Sequence, residues 1–272
     1  MKSISDKLLE NYFNSGGLAI PQKHWLRNKP IAHKGLWTPD NPSNIPENSL
    51  PAVENAIRHK YAVEVDIQLS LDGELVVFHD LFLNKLCGIG GTISQYTLKQ
   101  LKEFKLSETE YTIPTLEEVL ELTSKKTPVL VDIKGDVMGK QGTAKLLAHE
   151  LKNYKGHAAM HSFNFSDLNY FKRVAPNILR GQIISDFNKQ DVSFILKLLL
   201  RGAANLFEAK GDPHFISLDV RSKVQRIIKS VWANKRGGVI LAWLVDTKTM
   251  EAVSRGFADN IIFERINPKQ PW

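Results

Sequence analysis

Residues 64–80 read EVDIQLSLDGELVVFHD, and this stretch decides how the rest of the chain is interpreted. It has two segments rich in Val, Ile and Phe around a Ser-Leu-Asp-Gly turn, and Asp-Gly is a strong signal for a tight β-hairpin. A connection this short cannot join parallel strands, so the second segment is expected to return antiparallel beside the first. Counting outward from the turn places Leu69 opposite Glu74. The same register places His79 opposite Glu64.

One face of this hairpin concentrates polar side chains. Glu64, Asp66 and Gln68 alternate with apolar residues, and the period of two in a strand puts them on the same face. In the predicted register, His79 lies on that face as well. Alternating polar and apolar residues also occur in any half-exposed strand. The meeting of two carboxylates and an imidazole nevertheless indicates a functional site.

The composition is that of a globular protein. The chain has 272 residues, 43% of them hydrophobic, which is enough for one large α/β barrel domain. It has no run of about eighteen apolar residues, and residues 1–17 lack the uninterrupted apolar segment of a signal peptide. The one cysteine, Cys87, excludes an internal disulfide and is consistent with a reducing compartment. We therefore expect a cytoplasmic protein.

The net charge of +7 is unevenly distributed. Residues 189–236 contain ten Lys and Arg against four Asp and Glu. A basic surface attracts phosphates, acidic substrates, nucleic acid or anionic lipids, and charge alone does not choose among them. The sequence has neither interleaved aromatics nor the Cys/His spacing of a zinc finger, so no nucleic-acid partner is predicted.

Residues 192–207 combine apolar and basic side chains and allow two interpretations. In the first, they form a barrel helix that buries one face, with Lys197 and Arg201 turned outward at i, i+4. In the second, they rest peripherally on an anionic membrane surface. The second is favoured by apolar residues that cover more than one helical face. These residues are Phe194, Ile195, Leu196, Leu198, Leu199 and Leu200.

Short apolar segments alternate with helix-compatible segments along most of the chain. Apart from the returning arm of the hairpin, eight strands are predicted. The alternation predicts a TIM (β/α)₈ barrel, with the β-hairpin projecting after the second strand and the chemistry at the strands' C-terminal ends. Residues 1–29 are assigned to an N-terminal extension or cap, and residues 30–272 to a single barrel domain. The predicted strands lie near Ile31 and Val63 and over residues 129–133, 158–161, 178–184, 215–220, 239–245 and 260–263.

Three carboxylates fall at the ends of neighbouring predicted strands. Glu64, Asp66 and Asp132 form an oxygen-only cluster suited to Mg²⁺ or Ca²⁺. Zinc is less favoured, because a single cysteine cannot supply a sulfur-rich site, although His33 or His79 could ligate it in principle. The cluster therefore predicts a divalent cation as cofactor.

Two histidines and two lysines complete the group. His33 follows the first strand and His79 ends the hairpin, and histidines beside a cation suit proton transfer near neutral pH. Lys34 and Lys134 add positive charge suited to a phosphate. The combination indicates metal-assisted phosphodiester cleavage, in which the cation and the lysines stabilise phosphoryl charge and the histidines move protons.

Several motifs resemble those of the glycerophosphodiester phosphodiesterase family, over a stretch from about Pro30 to Asn267. The resemblance implies a TIM barrel, in agreement with the strand count. It also implies hydrolysis of a glycerophosphodiester, the expected small-molecule partner, to glycerol 3-phosphate and an alcohol. The motifs are AHKG (32–35), PENS (46–49), EVDIQLS (64–70), DGELVVFHD (72–80), PTLEEVL (114–120) and DIK (132–134), with HSF (161–163) and AWLV (242–245) similar to later, weaker motifs.

The resemblance also implies residue roles. His33 and His79 are expected to be the catalytic pair, and the three carboxylates named above are expected to bind the cation. Phe163 and Trp243 are expected either to line the substrate pocket or to belong to the apolar core. The residues expected to bind substrate or phosphate, or to support the site, are Lys34, Glu47, Lys134, Phe163 and Trp243.

Three positions depart from the family pattern. The family usually has His-Arg-Gly, whereas here Lys34 keeps the charge but lacks the bidentate fork that Arg presents to phosphate. A Glu is usual where Asp132 stands, so the cation ligand here is one methylene shorter. The closing strand usually ends in Thr-Asp, and here it ends in Phe263-Glu264.

Three functions are compatible with the sequence. The first is metal-dependent hydrolysis of glycerophosphodiesters by two-histidine acid/base catalysis. The second is a lysophospholipase D-type activity on lipid substrates, which membrane contact through residues 192–207 would favour. The third is a weakened, non-catalytic barrel that binds phosphoesters or lipid headgroups. Because both histidines are retained, the sequence favours an enzyme.

Overall fold

A computed structural model describes residues 20–38, 44–134, 142–185, 211–222 and 238–272. In this part of the chain, eight parallel strands close into a barrel and a ninth strand lies outside it. The barrel closes because its first strand pairs with both the second and the last. The predicted TIM (β/α)₈ barrel is confirmed. The strands are β1 (Ile31–Ala32), β2 (Ala62–Leu69), β3 (Leu75–Val77), β4 (Val129–Ile133), β5 (Ala158–Ser162), β6 (Leu179–Ile184), β7 (Phe215–Asp219), β8 (Val239–Val245) and β9 (Asn260–Phe263).

The hairpin projects from the end of β2 as predicted, but its predicted register is wrong by one residue. β3 runs antiparallel to β2 with Leu69 paired to Leu75 and not to Glu74. Gly73 has φ +89° and donates its N–H to the Ser70 carbonyl at 3.1 Å. A glycine at positive φ after such a turn adds one residue before pairing resumes. The Ser70 N–H donates to the Glu74 carbonyl at 3.0 Å, so Glu74 lies opposite Ser70 and the turn consists of Leu71, Asp72 and Gly73.

Several of the helices begin at residues whose side chains cap them. The Ser49 hydroxyl accepts a hydrogen bond from the Ala52 N–H, and Thr115 forms a capping box with Glu118. Such caps satisfy N–H groups that have no partner inside the helix. The helices are α1 (Trp25–Asn28), α2 (Leu50–Arg58), α3 (Asn84–Cys87), α4 (Leu98–Leu101), α5 (Leu116–Thr123), α6 (Gly142–Asn153), α7 (Phe165–Val174) and α8 (Lys248–Arg255), with a 3₁₀ turn at Ile93–Gln95.

The lower half of the barrel is filled with apolar side chains. Leu130, Phe215 and Leu241 belong to this inner cluster, and a larger apolar layer separates the strands from the surrounding helices. Gly181 faces Phe215 so closely that a Cβ there would lie 2.1 Å from the aromatic ring. The glycine is therefore required for Phe215 to fill the barrel, and polar side chains are left to the upper half.

The described part of the predicted cap lies at the N-terminal ends of the strands. Leu26 packs into the inner cluster, and Arg27 forms an ion pair with Asp259, just before β9. The Asn260 amide donates hydrogen bonds to the carbonyls of Leu26, at 3.1 Å, and Lys29, at 2.8 Å. Residues 20–29 thus close the bottom of the barrel. The division of the chain at residue 29 stays a prediction.

The predicted membrane element, residues 192–207, lies outside the described residues. No helix in the described part of the chain is long and apolar enough to cross a membrane.

Candidate active site

The C-terminal ends of the barrel strands surround a cavity of about 720 Å³. Asp66 is fully buried and contacts Lys134 in the cavity wall. The structure therefore brings all of the predicted site residues to one place. Those that line the cavity are His33, Lys34, Glu47, Glu64, His79, Asp132, Lys134, Phe163 and Trp243.

Four polar side chains point into the barrel from three neighbouring strands. Asp66 on β2 pairs with Asp132 on β4, and Asp132 pairs with His161 on β5. Glu64 precedes Asp66 by two residues. Paired residues of adjacent strands face the same side, and so do alternate residues of one strand. All four are buried, so the barrel interior holds three carboxylates and an imidazole out of water.

Lys134 is the counter-ion of two of these carboxylates. Its Nζ lies 2.9 Å from Asp66 Oδ1 and 2.6 Å from Asp132 Oδ2. Burial alone would lower the pKa of Lys134, but the charges of Asp66, Asp132 and Glu64 outweigh burial and raise it. Burial opposes ionisation of Asp66, yet Lys134 holds the pKa of that carboxyl far below its usual range. The Lys134–Asp66 contact is therefore an ion pair.

Asn48 fixes the other side of Asp66, and the sequence analysis gave it no role. Its Nδ2 donates to Asp66 Oδ2 at 2.7 Å, and its Oδ1 accepts from the Asp66 backbone N–H at 3.2 Å. Asn48 has φ +55°, a conformation that Asn tolerates better than most residues. Its place in the Pro-Glu-Asn-Ser motif was the sequence signal that could have identified Asn48 as a site residue.

His33 is held by a carboxylate from the far end of the chain. Its Nδ1 lies 3.2 Å from Glu264 Oε2, so Glu264 does not contact the second ring nitrogen, Nε2. Burial would lower the pKa of His33, but the Glu64 charge and the Glu264 hydrogen bond together raise it. Glu264 was noted only as a departure from the family pattern, and its position directly after the last strand was the signal for a site residue.

His79 has a similar arrangement on the hairpin side. Its Nδ1 lies 2.6 Å from Asp80 Oδ1, and Lys85 approaches Asp80 Oδ2 at 3.2 Å. Burial favours the neutral form of Asp80, but the bonds to His79 and Lys85 hold its pKa below the usual range. The Gln68 amide donates to the carbonyls of Phe78 and Asp80, both at 2.9 Å. The strand-face residue Gln68 thus anchors the segment that carries His79.

The motif Ala-His-Lys-Gly forms a tight backbone turn around Glu64. The Lys34 N–H donates to Glu64 Oε2 at 2.9 Å, and the Lys34 ammonium contacts Glu47 Oε1 at 2.7 Å. Gly35 has φ +76°, and a Cβ there would lie 2.7 Å from the Ala52 Cβ. Gly35 is required for this approach, which in turn places His33 beside the carboxylates.

The residues present fit a divalent cation. Ligand atoms of Glu64, Asp132 and His161 lie within 4.8 Å of one another. Asp132 Oδ1 and His161 Nε2 are buried and have no hydrogen-bond partner among the described residues. Oxygen and nitrogen donors left open in a buried acidic cluster are what a cation site requires. No role was predicted for His161 from the sequence.

One wall of the cavity is apolar. The rings of Phe163 and Trp243 meet edge to face with their centroids 6.0 Å apart, and Ile183 and Leu244 line the same cavity. Trp243 Nε1 donates to the Ser217 carbonyl at 3.1 Å, which fixes its indole. Phe163 is 48% exposed, so both aromatics belong to the cavity wall and not to the closed core.

The closed (β/α)₈ barrel carries this group at its C-terminal mouth, and the sequence comparisons identify the chain as an enzyme of the phosphoric diester hydrolase class. A profile of the Glycerophosphoryl diester phosphodiesterase family matches residues 41–267, and the chain therefore belongs to this family.

Known proteins resemble the chain in sequence and in structure. It is 29% identical over 186 residues to a glycerophosphodiester phosphodiesterase of Bacillus altitudinis, which covers 64% of this chain and 74% of that protein. An Oleispira antarctica phosphodiesterase, solved in complex with the product sn-glycerol-3-phosphate, superposes with a TM-score of 0.72 at 22% identity over 87% of this chain and 92% of the other. A Thermotoga maritima glycerophosphodiester phosphodiesterase gives a TM-score of 0.68 at 23% identity, with 86% and 94% covered.

Proposed function

We propose that this protein hydrolyses glycerophosphodiesters to glycerol 3-phosphate and an alcohol, with a divalent cation and with His33 and His79 as acid and base. The observation that carries the proposal is the pairing of each histidine, through Nδ1, with its own carboxylate at the edge of one acidic cavity. The product bound to the Oleispira antarctica relative agrees with this substrate class.

The cation is proposed to bind at the acidic cluster formed by Glu64, Asp66 and Asp132. The open Asp132 oxygen supports this assignment. A bound Mg²⁺ or Ca²⁺ would neutralise charge on the phosphoryl oxygens. Lys134 holds two of the carboxylates in place and keeps its own charge at the cavity wall.

The two histidines are proposed to move the protons. A carboxylate that accepts from Nδ1–H leaves Nε2 with a lone pair when the ring is neutral and with a proton when it is charged. One histidine removes the proton of the glycerol hydroxyl next to the phosphate. That oxygen forms a bond to phosphorus, the bond to the leaving alcohol breaks, and the other histidine protonates the alcohol. The two histidines then exchange roles: a water molecule gives a proton to the second histidine, and the water oxygen bonds to phosphorus. The bond to the attacking glycerol oxygen breaks, and that oxygen takes its proton back from the first histidine, which gives glycerol 3-phosphate.

The remaining predicted residues are proposed to hold the phosphate and shape the turn around it. Lys34 is bound to Glu47 inside the cavity wall, so its ammonium contributes charge from a fixed position. We also propose that residues 30–272 form the catalytic domain and that residues 1–29 cap it. Peripheral contact with an anionic membrane through residues 192–207 stays part of this proposal.

A lysophospholipase D-type activity is the second candidate, and the apolar wall favours it. Phe163, Ile183, Trp243 and Leu244 offer an apolar surface next to the acidic cluster. The two aromatic rings also suit the quaternary ammonium of glycerophosphocholine, whereas an acyl chain would bury apolar area against all four side chains.

The test is release of choline or glycerol phosphate from glycerophosphocholine, with EDTA or with Mg²⁺, Ca²⁺ or Mn²⁺. We expect turnover that requires a cation and falls by about 10²- to 10⁴-fold in His33→Ala. His59→Ala, at an exposed histidine on the end of α2, is the matched control and should keep full activity. Turnover that survives EDTA, or that His33→Ala leaves intact, contradicts the proposal. Faster cleavage of lysophosphatidylcholine would favour the second candidate.

A further inference from the structure

His161 is a buried group that the chemistry proposed above does not use. It lies on β5 with 3% of its surface exposed. Its Nδ1 is 2.9 Å from Ser217 Oγ, but its Nε2 has no hydrogen-bond partner within the described ranges. An unpaired buried polar group costs about 1–3 kcal/mol. The open nitrogen therefore indicates that something binds to it.

Glu64, Asp132 and His161 share one pattern, in which the protein holds one polar atom of each residue. Glu64 Oε2 accepts from the Lys34 N–H at 2.9 Å, and Asp132 Oδ2 accepts from Lys134 at 2.6 Å. The His161 Nδ1–H is oriented by Ser217. The second polar atom of each residue remains, and Glu64 Oε1 lies 3.8 Å from His161 Nε2. Two donors that each sit about 2.1 Å from one ion are separated by roughly 3–4 Å.

We propose that His161 Nε2 is a ligand of the divalent cation, together with Glu64 and Asp132. The inference rests on the proposed function and adds a nitrogen donor to a site that the sequence predicts as oxygen-only. Asp66 is held more tightly by the protein, because Asn48 donates a hydrogen bond to its Oδ2 and the Lys134 ammonium forms an ion pair with its Oδ1.

A metal-binding histidine normally contacts a second protein group through the ring nitrogen that does not bind the metal. For His161, Ser217 is that group. The Ser217 hydroxyl can accept from Nδ1–H, and in that tautomer the Nε2 lone pair is free for a cation. Ser217 is itself fully buried on β7, so the imidazole is held on its far side by a second barrel strand. The ring is therefore oriented before any cation binds.

The nitrogen ligand changes the preferred metal. Imidazole suits later transition metals such as Co²⁺ and Zn²⁺, whereas Mg²⁺ and Ca²⁺ prefer oxygen. The protein is therefore expected to bind Co²⁺ more tightly than Mg²⁺, by a margin that depends on His161.

The test uses the full chain, stripped with EDTA, as wild type and as His161→Gln and His59→Gln variants. Mn²⁺-loaded samples are examined by electron spin-echo envelope modulation for coupling to ¹⁴N, and Co²⁺ and Mg²⁺ affinities are measured by calorimetry. We expect nitrogen coupling in the wild type and in His59→Gln, and its loss in His161→Gln. The ratio of Co²⁺ to Mg²⁺ affinity should fall by about 10-fold or more in His161→Gln.

Absence of nitrogen coupling in the Mn²⁺-loaded wild type overturns the inference, and so does coupling that persists in His161→Gln. Absence of coupling in the wild type decides even if His161→Gln does not fold, and coupling that persists in His33→Ala and in His79→Ala excludes the other two cavity imidazoles as its source. Hydrolysis of glycerophosphocholine, measured on the same samples, separates the two proposals. Turnover without nitrogen coupling defeats the inference alone, and nitrogen coupling without turnover of any diester defeats the proposed function.

Discussion

At the scale of single residues, the site consists of histidines held by carboxylates of very different origin. Asp80 is the chain neighbour of His79, whereas Glu264 reaches His33 from 231 residues away. Both carboxylates contact Nδ1, and each can fix a tautomer and stabilise the charged ring. The two histidines proposed to carry protons therefore have similar carboxylate partners, although only one of the pairs is visible as a sequence motif.

Glu264→Gln tests the distant pair. The amide can donate as well as accept, so it no longer fixes the His33 tautomer, and kcat should fall about 10- to 100-fold with little change in KM. Glu264 raises the pKa of His33, so its loss lowers that pKa. The limb of the pH–rate profile that depends on His33 should move to lower pH, whether His33 is the acid or the base.

Glu110→Gln is the control for this measurement, because the Glu110 side chain is 96% exposed and lies outside the cavity lining. It should leave both kcat and the pH profile unchanged. A Glu264→Gln profile that overlays the wild type would show that Glu264 does not act on His33.

The residues that sequence reasoning found and those it missed differ in a physical way. The predicted residues occur in contiguous motifs at strand ends, where the barrel topology brings them together. Asn48, Glu264 and His161 act through side-chain contacts with residues distant in the chain. Those contacts depend on backbone conformation and strand register, which periodicity does not specify.

At the scale of elements, the hairpin shows how one glycine sets a register. Apolar runs predicted β2 and β3 because buried strands are rich in Val, Ile and Leu. The pairing between them depends on the number of residues in the turn, and Gly73 at φ +89° adds one. A shift of one residue would turn every side chain of β3 to the other face.

Gly73→Ala should therefore strain the turn without a clash. No other heavy atom lies within 4 Å of a Cβ at Gly73, so the expected cost of about 1–2 kcal/mol comes from the positive φ alone. Gly90 has equally open surroundings without a positive φ, and Gly90→Ala should stay within about 0.5 kcal/mol of the wild type. Urea denaturation of both variants measures the difference, and equal stabilities would argue against strain at Gly73.

At the scale of the whole molecule, the barrel buries three carboxylates at its centre and places a lysine ammonium group beside two of them. Lys134 contacts Asp66 and Asp132 and carries a raised pKa because of them. Burying such charges without a partner would be costly. Because Lys134 balances part of this buried charge, we expect the barrel to fold without a bound metal.

Lys134→Met tests this account. In EDTA the variant should lose about 3–5 kcal/mol of unfolding free energy, because two buried carboxylates lose their partner. Added Mg²⁺ should restore more stability to the variant than to the wild type. Lys85→Met removes an ion pair whose lysine side chain is 64% exposed, so it should cost at most about 1 kcal/mol. Denaturant unfolding with and without Mg²⁺ gives the comparison, and equal losses for the two variants would contradict it.

The cavity is made of two kinds of structure that can change independently. Glu64, Asp132 and His161 lie on barrel strands, whereas the lining residues Lys85 and Ser107 come from segments between them. The strand positions are fixed by hydrogen bonds around a closed barrel, whereas the connecting segments are held by local contacts, such as the bond from the Ser107 N–H to the Leu86 carbonyl. Exchanging the connecting segments while keeping the strand residues is therefore expected to change the preference for the leaving alcohol. These segments are the part of the barrel to replace when a new substrate preference is engineered.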